Sequence, residues 1–151
     1  MRSALHGLIS LIWGLWFGGV VTLFVAVTAI FKAFPDEHEV AGEAARYVFH
    51  AFNIYQLSLA VVALLGTFAW SFLKSGPMKL GLFLLFSLVT SDACIIATYV
   101  APKIELLQRS GLGQSHEFST LHGISLALYL AEAVLLLIAG LFLLELREPN
   151  T

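Results

Sequence analysis

Residues 118–144 read FSTLHGISLALYLAEAVLLLIAGLFLL, and Glu132 is their only charge. About 20 apolar residues suffice to cross a bilayer as a helix. Residues 80–101, LGLFLLFSLVTSDACIIATYVA, repeat the pattern with Asp92 as the only charge. A carboxylate at bilayer depth costs about 2.5–3.5 kcal/mol on insertion scales. Folding a membrane bundle does not require that cost. Each acid therefore marks a functional position that faces protein or water rather than lipid.

Two further apolar runs, residues 4–31 and 48–73, complete a set of four spans. Hydrophobic residues make up 59% of the chain and charged ones 12%. Soluble domains carry roughly 25% charge, so a soluble fold is excluded. The expected fold is all-α: one integral membrane domain over residues 1–151, a four-helix bundle running up-down-up-down. The connectors leave no room for a soluble domain, and no basic patch points to nucleic acid. The first run far exceeds the roughly 7–15 residues of a signal-peptide core and has no small-x-small cleavage site, so it reads as a retained span. Cys94 is the lone cysteine. It has no internal disulfide partner, and its plain reading is a small buried hydrophobe.

The punctuation between spans fixes their directions. Pro35-Asp36-Glu37 is a helix N-terminus by residue type. Residues 37–47 are then amphipathic, with Val40, Ala44 and Val48 on one stripe, and either lie at the interface or extend the second helix. Residues 74–79, KSGPMK, form a tight turn. Pro102 is expected to end the third helix, with residues 103–117 as the longest connector. Four spans put both termini on one side. The Lys and Arg counts of the two sides tie. The longer, more acidic loops opposite the termini point to both termini being cytoplasmic.

Polar residues recur at helical spacing inside the apolar runs. His122, Ser125, Tyr129 and Glu132 step by i, i+3, i+7 and i+10, one face at 3.6 residues per turn. Asp92 and Tyr99 are seven apart on the third span. His50, Asn53 and Gln56 step by three on the second. At a rise of about 1.5 Å per residue, Asp92 and Glu132 both lie about 15 Å below the same surface, near the midplane. The expectation is a polar column: His50 and His122 near the surface, then Asn53, Gln56, Ser125, Tyr129 and Tyr99, with the two acids at the bottom. His6 lies toward the opposite side.

Each element has a structural alternative. A histidine at a helix entry is often an interface residue. Asn or Gln in a membrane helix often ties helices together, for about 0.6–2 kcal/mol. Tyr near an interface is usually an anchor. The acids themselves can share one proton and lock the third helix to the fourth. Gly14-x-x-x-Gly18 is a spacing that lets helix backbones approach, so a homo-oligomer through the first helix is an expectation too.

Several short motifs carry a family likeness. They are Leu5-His6-x6-Trp13-Gly14, Trp16, Val20, Phe31-x2-Phe34-Pro35, Phe49-His50, Ala101-Pro102-Lys103 and Phe118-x3-His122-Gly123-x-Ser125. In order and spacing the chain resembles the transmembrane protein 205-like family over nearly its whole length. The long acidic insert of animal members is absent. The resemblance implies four helices in a membrane and little chemistry. The association of animal members with platinum-drug resistance implies metal handling. The His-x6-Trp start is also similar, more distantly, to four-helix membrane proteins of the copper-resistance D type and to a haem-binding bacterial oxidase, which implies His6 as a ligand.

Three functions fit these features. The first is a transition-metal or haem b protein, with His6, His50 and His122 as ligand candidates for copper, zinc or haem iron. The second is a proton or cation transporter or channel built on Asp92 and Glu132. The third is a membrane scaffold or accessory subunit whose polar groups fix helix register. The sequence carries no nucleophile elbow, phosphate loop or zinc-protease helix, and a haem-dependent redox activity is the one enzyme reading left open.

Overall fold

The computed structural model describes residues 2–73 and 77–146. Helix α1 spans Arg2–Ala33 and α2 spans His38–Leu73. Helix α3 spans Pro77–Ile95 and runs through a π-helical turn, Ile96–Val100, into α4, Ala101–Arg109. Helix α5 spans His116–Glu145. Four rods are long and apolar enough to cross a membrane: Ala4–Ala33, His38–Ser71, Met78–Arg109 and His116–Glu145. The chain is a multi-pass, all-α membrane protein. Of the residues 74–79 expected to form a turn, 74–76 lie outside the described residues.

The rods form a square. Helix α1 packs on α2 and α5, and α3 packs on the same two, so α2 and α5 face each other across a diagonal. Lipid tails are as apolar as leucine, so rod association rests on van der Waals fit and on polar contacts. The core accordingly mixes small residues (Ala60, Ala63, Ala93, Ala139) with Trp16 and Phe86. The outer face is coated with apolar side chains such as Leu11, Val25, Leu65 and Leu141, all more than half exposed. Such a surface would be an aggregation hazard in water and matches a bilayer.

Two glycines serve packing and turning. A Cβ at Gly140 would overlap the Trp13 indole, only 2.7 Å from Cε2, so α1 closes on α5 only over glycine. Gly111 takes φ +73° and closes α4. Leu112 N–H donates to Leu107 O (2.9 Å) and Gly111 N–H to Gln108 O (3.1 Å), a Schellman ending that left-handed glycine permits. Ser115 then caps α5, its hydroxyl accepting from Phe118 N–H at 3.1 Å.

Three expectations are corrected here. Pro102 does not end the third rod, which continues to Arg109. Proline removes one N–H and clashes with the carbonyl four residues back. The π turn widens the rod just before it, with Ala101 N–H donating to Ile96 O, and Pro102 sits in the first turn of α4, where it is tolerated. The connector shrinks to residues 110–115. On the extension of α2, Ala41 and Ala45 are buried and Val40 is exposed, one position off the expected stripe. Arg46, on the same extension, donates to Glu105 of α4 at 2.9 Å. Cys94 is exposed rather than buried.

Candidate functional site

Side chains from three rods meet in a closed polar cluster at the bundle centre, and the fourth rod flanks it. Gln56 and Glu132 are fully buried, Tyr129 is 2% exposed and Asn53 8%. Trp16 Nε1 donates to Glu132 Oε1 at 2.6 Å. The Gln56 amide stands 3.0 Å from Glu132 Oε1 and 3.3 Å from Oε2. Gln56 and Asn53 join their amides at 3.0 Å. The Tyr129 hydroxyl reaches Asn53 Oδ1 at 3.0 Å. Asn53 and Gln56 are one turn apart on α2, and Tyr129 and Glu132 are one turn apart on α5. The helices run parallel across the diagonal, so the pairs form two rungs in register.

Aromatic rings close the cluster. Phe49 and Phe52 lie 5.7 and 6.0 Å from the Tyr129 ring, and Phe86 lies 6.3 Å from the Trp16 ring. Asp92 approaches from α3, half-buried, near enough for its charge to act on Glu132 and Tyr129. Its Oδ2 is buried without a hydrogen-bond partner, as is Thr90 Oγ1. Salt bridges among the described residues all lie in the surface group of Glu43, Arg46, Glu105 and Arg109, and none reaches the two acids.

Helix α1 docks on α5 through ring nitrogens. The His6 ring pairs through Nε2 with Leu143 O (3.1 Å), and Trp13 Nε1 donates to Leu136 O (2.6 Å). With Trp16 on Glu132 this makes an antiparallel ladder at i, i+7 and i+10. The His-x6-Trp-x2-Trp pattern is thus a helix-docking device. Sequence reasoning named Trp16 only within the family likeness and missed it as the direct partner of Glu132. The signal was present, because Trp16 continues the face shared by His6 and Trp13.

The upper part of the expected column does not form. His50 and His122 are both exposed, on rods that face each other across the diagonal. His50 stands about 120° around the helix from Gln56, so it turns outward when Gln56 turns inward. Near its start, α5 packs on α4 and the π turn and buries Leu121 instead of His122. The His122 ring stacks on Phe118 at 6.0 Å. Tyr99 is 55% exposed and accepts from Lys103 Nζ at 2.8 Å. Seven residues would keep Tyr99 on the face of Asp92 in an α-helix, but the intervening π turn shifts that phase. Ser125 is half-buried and stands outside the cluster. A Cβ added at Gly14 or Gly18 would meet nothing within 4 Å. Among the described residues no group of three or more His, Cys, Asp and Glu converges.

Residues 11–113 match the family described as Domain of unknown function (DUF4149). The chain belongs to that family. No curated protein and no solved structure matches it. In this DUF4149 protein the matched region holds Trp13, Trp16, Asn53, Gln56 and Asp92. His6, Tyr129 and Glu132 fall outside it, so the cluster is completed by a helix beyond the matched region.

Proposed function

We propose that this DUF4149 protein binds and releases a proton at Glu132 inside the membrane, as the ionisable centre of a small proton-coupled transport unit. One observation carries the reading. Glu132 is fully buried with a second acid, Asp92, approaching from α3, and among the described residues no cation pairs with either. A helix lock does not need this arrangement, because a glutamine at 132 would accept from Trp16 and pair with Gln56 without an ionisable group. Carboxylates inside membranes are associated with proton relays. The likeness to the transmembrane protein 205-like family is compatible with this reading and names no activity.

The metal or haem reading would rest on His6, whose Nε2 is engaged by Leu143 O, leaving Nδ1 as the free ring nitrogen. No geometric feature favours it over proton binding. An absorption spectrum and metal analysis of detergent-purified protein test it directly.

Proton uptake tests the main reading. Protein reconstituted in vesicles is acidified in the presence of a pH-sensitive dye, and uptake per chain is compared with Glu132→Gln. The account expects wild type to take up more protons than the variant, and proton flux to fall in Glu132→Gln. Equal uptake and equal flux in the two proteins would overturn it.

A further inference from the structure

We propose that Gln56 and Asn53 form a two-amide relay that reports the protonation of Glu132 to the hydroxyl of Tyr129. The relay rests on the reading that Glu132 binds a proton, and it adds what that proton does. The heavy atoms allow two hydrogen-bond patterns along the line from Glu132 to Tyr129. In the first, Glu132 carries a proton and its O–H donates to the Gln56 carbonyl, 3.0–3.3 Å from the carboxyl oxygens. The Gln56 nitrogen then donates to Asn53 Oδ1 at 3.0 Å, and Tyr129 O–H donates to the same oxygen at 3.0 Å.

In the second pattern Glu132 is ionised. The Gln56 amide is turned over, so its nitrogen donates to the carboxylate. Its carbonyl now faces Asn53, which must turn its own nitrogen toward it. Asn53 then presents nitrogen to Tyr129, whose oxygen accepts and whose proton turns away. Oxygen and nitrogen of an amide are nearly equal in size, so both patterns fit one packing. Trp16 N–H donates to Glu132 Oε1 in both.

The only atom gained or lost is the proton on Glu132, exchanged with water. No bond within the amides breaks, and each turns over about its last side-chain torsion. Mixed states are penalised. A carboxylate facing a carbonyl, or two amide nitrogens facing each other, sets like poles against each other and breaks the contact on both sides inside the buried site. The amides therefore switch together. The titratable groups facing Glu132 are Asp92 of α3 and Tyr129 of its own helix. Helix α1 contributes the indole of Trp16, and α2 contributes the two amides.

The test is pH-difference infrared spectroscopy of the full chain in lipid nanodiscs, with ring-labelled tyrosine. A carboxyl band present in wild type and missing in Glu132→Gln reports the proton. The relay predicts a tyrosine C–O shift with the same midpoint as that band, absent in Tyr129→Phe. In Gln56→Met the carboxyl band persists and the tyrosine shift is lost. Asn53→Leu cuts the relay at its other amide and gives the same loss if Gln56→Met does not fold. A carboxyl band with a static tyrosine signal, or a tyrosine shift that survives either cut, overturns the relay and leaves proton binding standing. Loss of any Glu132-dependent carboxyl band overturns the proton reading beneath it.

Discussion

At Glu132 the indole N–H of Trp16 satisfies one oxygen in either protonation state, and Gln56 can offer the other half of its environment as donor or acceptor. Removing the carboxyl therefore has two different costs. Glu132→Gln keeps a group that accepts from Trp16 and pairs with Gln56, so thermal unfolding in detergent is expected close to wild type. Glu132→Leu leaves the Trp16 N–H and the end of the Gln56 amide that faces residue 132 buried and unpaired, at about 1–3 kcal/mol for each group. If the leucine variant matched the glutamine variant in stability, the buried network would have no structural weight. Asp92 is half-buried and makes no hydrogen bond through Oδ2, so Asp92→Asn is expected to cost less than Glu132→Leu by the same measurement. The two acids, Tyr129, Asn53 and Gln56 were legible in the sequence, because polar groups stand out against an apolar run and inward faces follow from helical spacing. His50 and His122 were misplaced for two reasons. Three-residue steps rotate off the face by about 60° each, and the inward face of α5 changes where its neighbour changes from α1 to α4.

The elements hold the site through α1 and α5. Trp13 lies over Gly140 with its N–H on Leu136 O, one donor along from Trp16. Gly140→Ala is expected to displace that ring and cost about 1–3 kcal/mol through overpacking. Trp13→Phe keeps the ring face, loses the N–H, and is expected to cost about 0.5–1.5 kcal/mol. Chemical denaturation of both variants checks the order. A Gly140→Ala protein as stable as wild type would mean the rods do not close there. The existence of four rods was plain from composition. Their ends were less so, since Pro102 is a breaker by residue type and is accommodated only because a π turn precedes it. That turn has no sequence signature beyond the proline itself.

Across the whole molecule, four rods alternate in direction and bring the start of α1 and the end of α5 to one end of the bundle. Cysteines introduced at Ser3 and Glu145 are expected to react with a membrane-impermeant thiol reagent from the same side, in a Cys94→Ala background. Labelling from opposite sides would break the four-rod arrangement. Beneath the outward coat of leucine and valine, the central cluster joins α1, α2 and α5, with Asp92 of α3 at its flank. The sequence set the two acids at one level by matched residue counts from Pro102 and His122, although the third rod continues past Pro102 to Arg109. It did not show that α2 and α5 would meet across the diagonal, since that depends on how the rods close rather than on any one of them.

The most direct measurement is solid-state carbon-13 NMR of glutamate-labelled protein in lipid across a pH series. The account predicts a Glu132 carboxyl signal, missing in Glu132→Gln, that moves between protonated and ionised positions while keeping its contact with the Gln56 side chain. A Glu132 signal fixed at one position throughout, or one with no contact to Gln56, would contradict it.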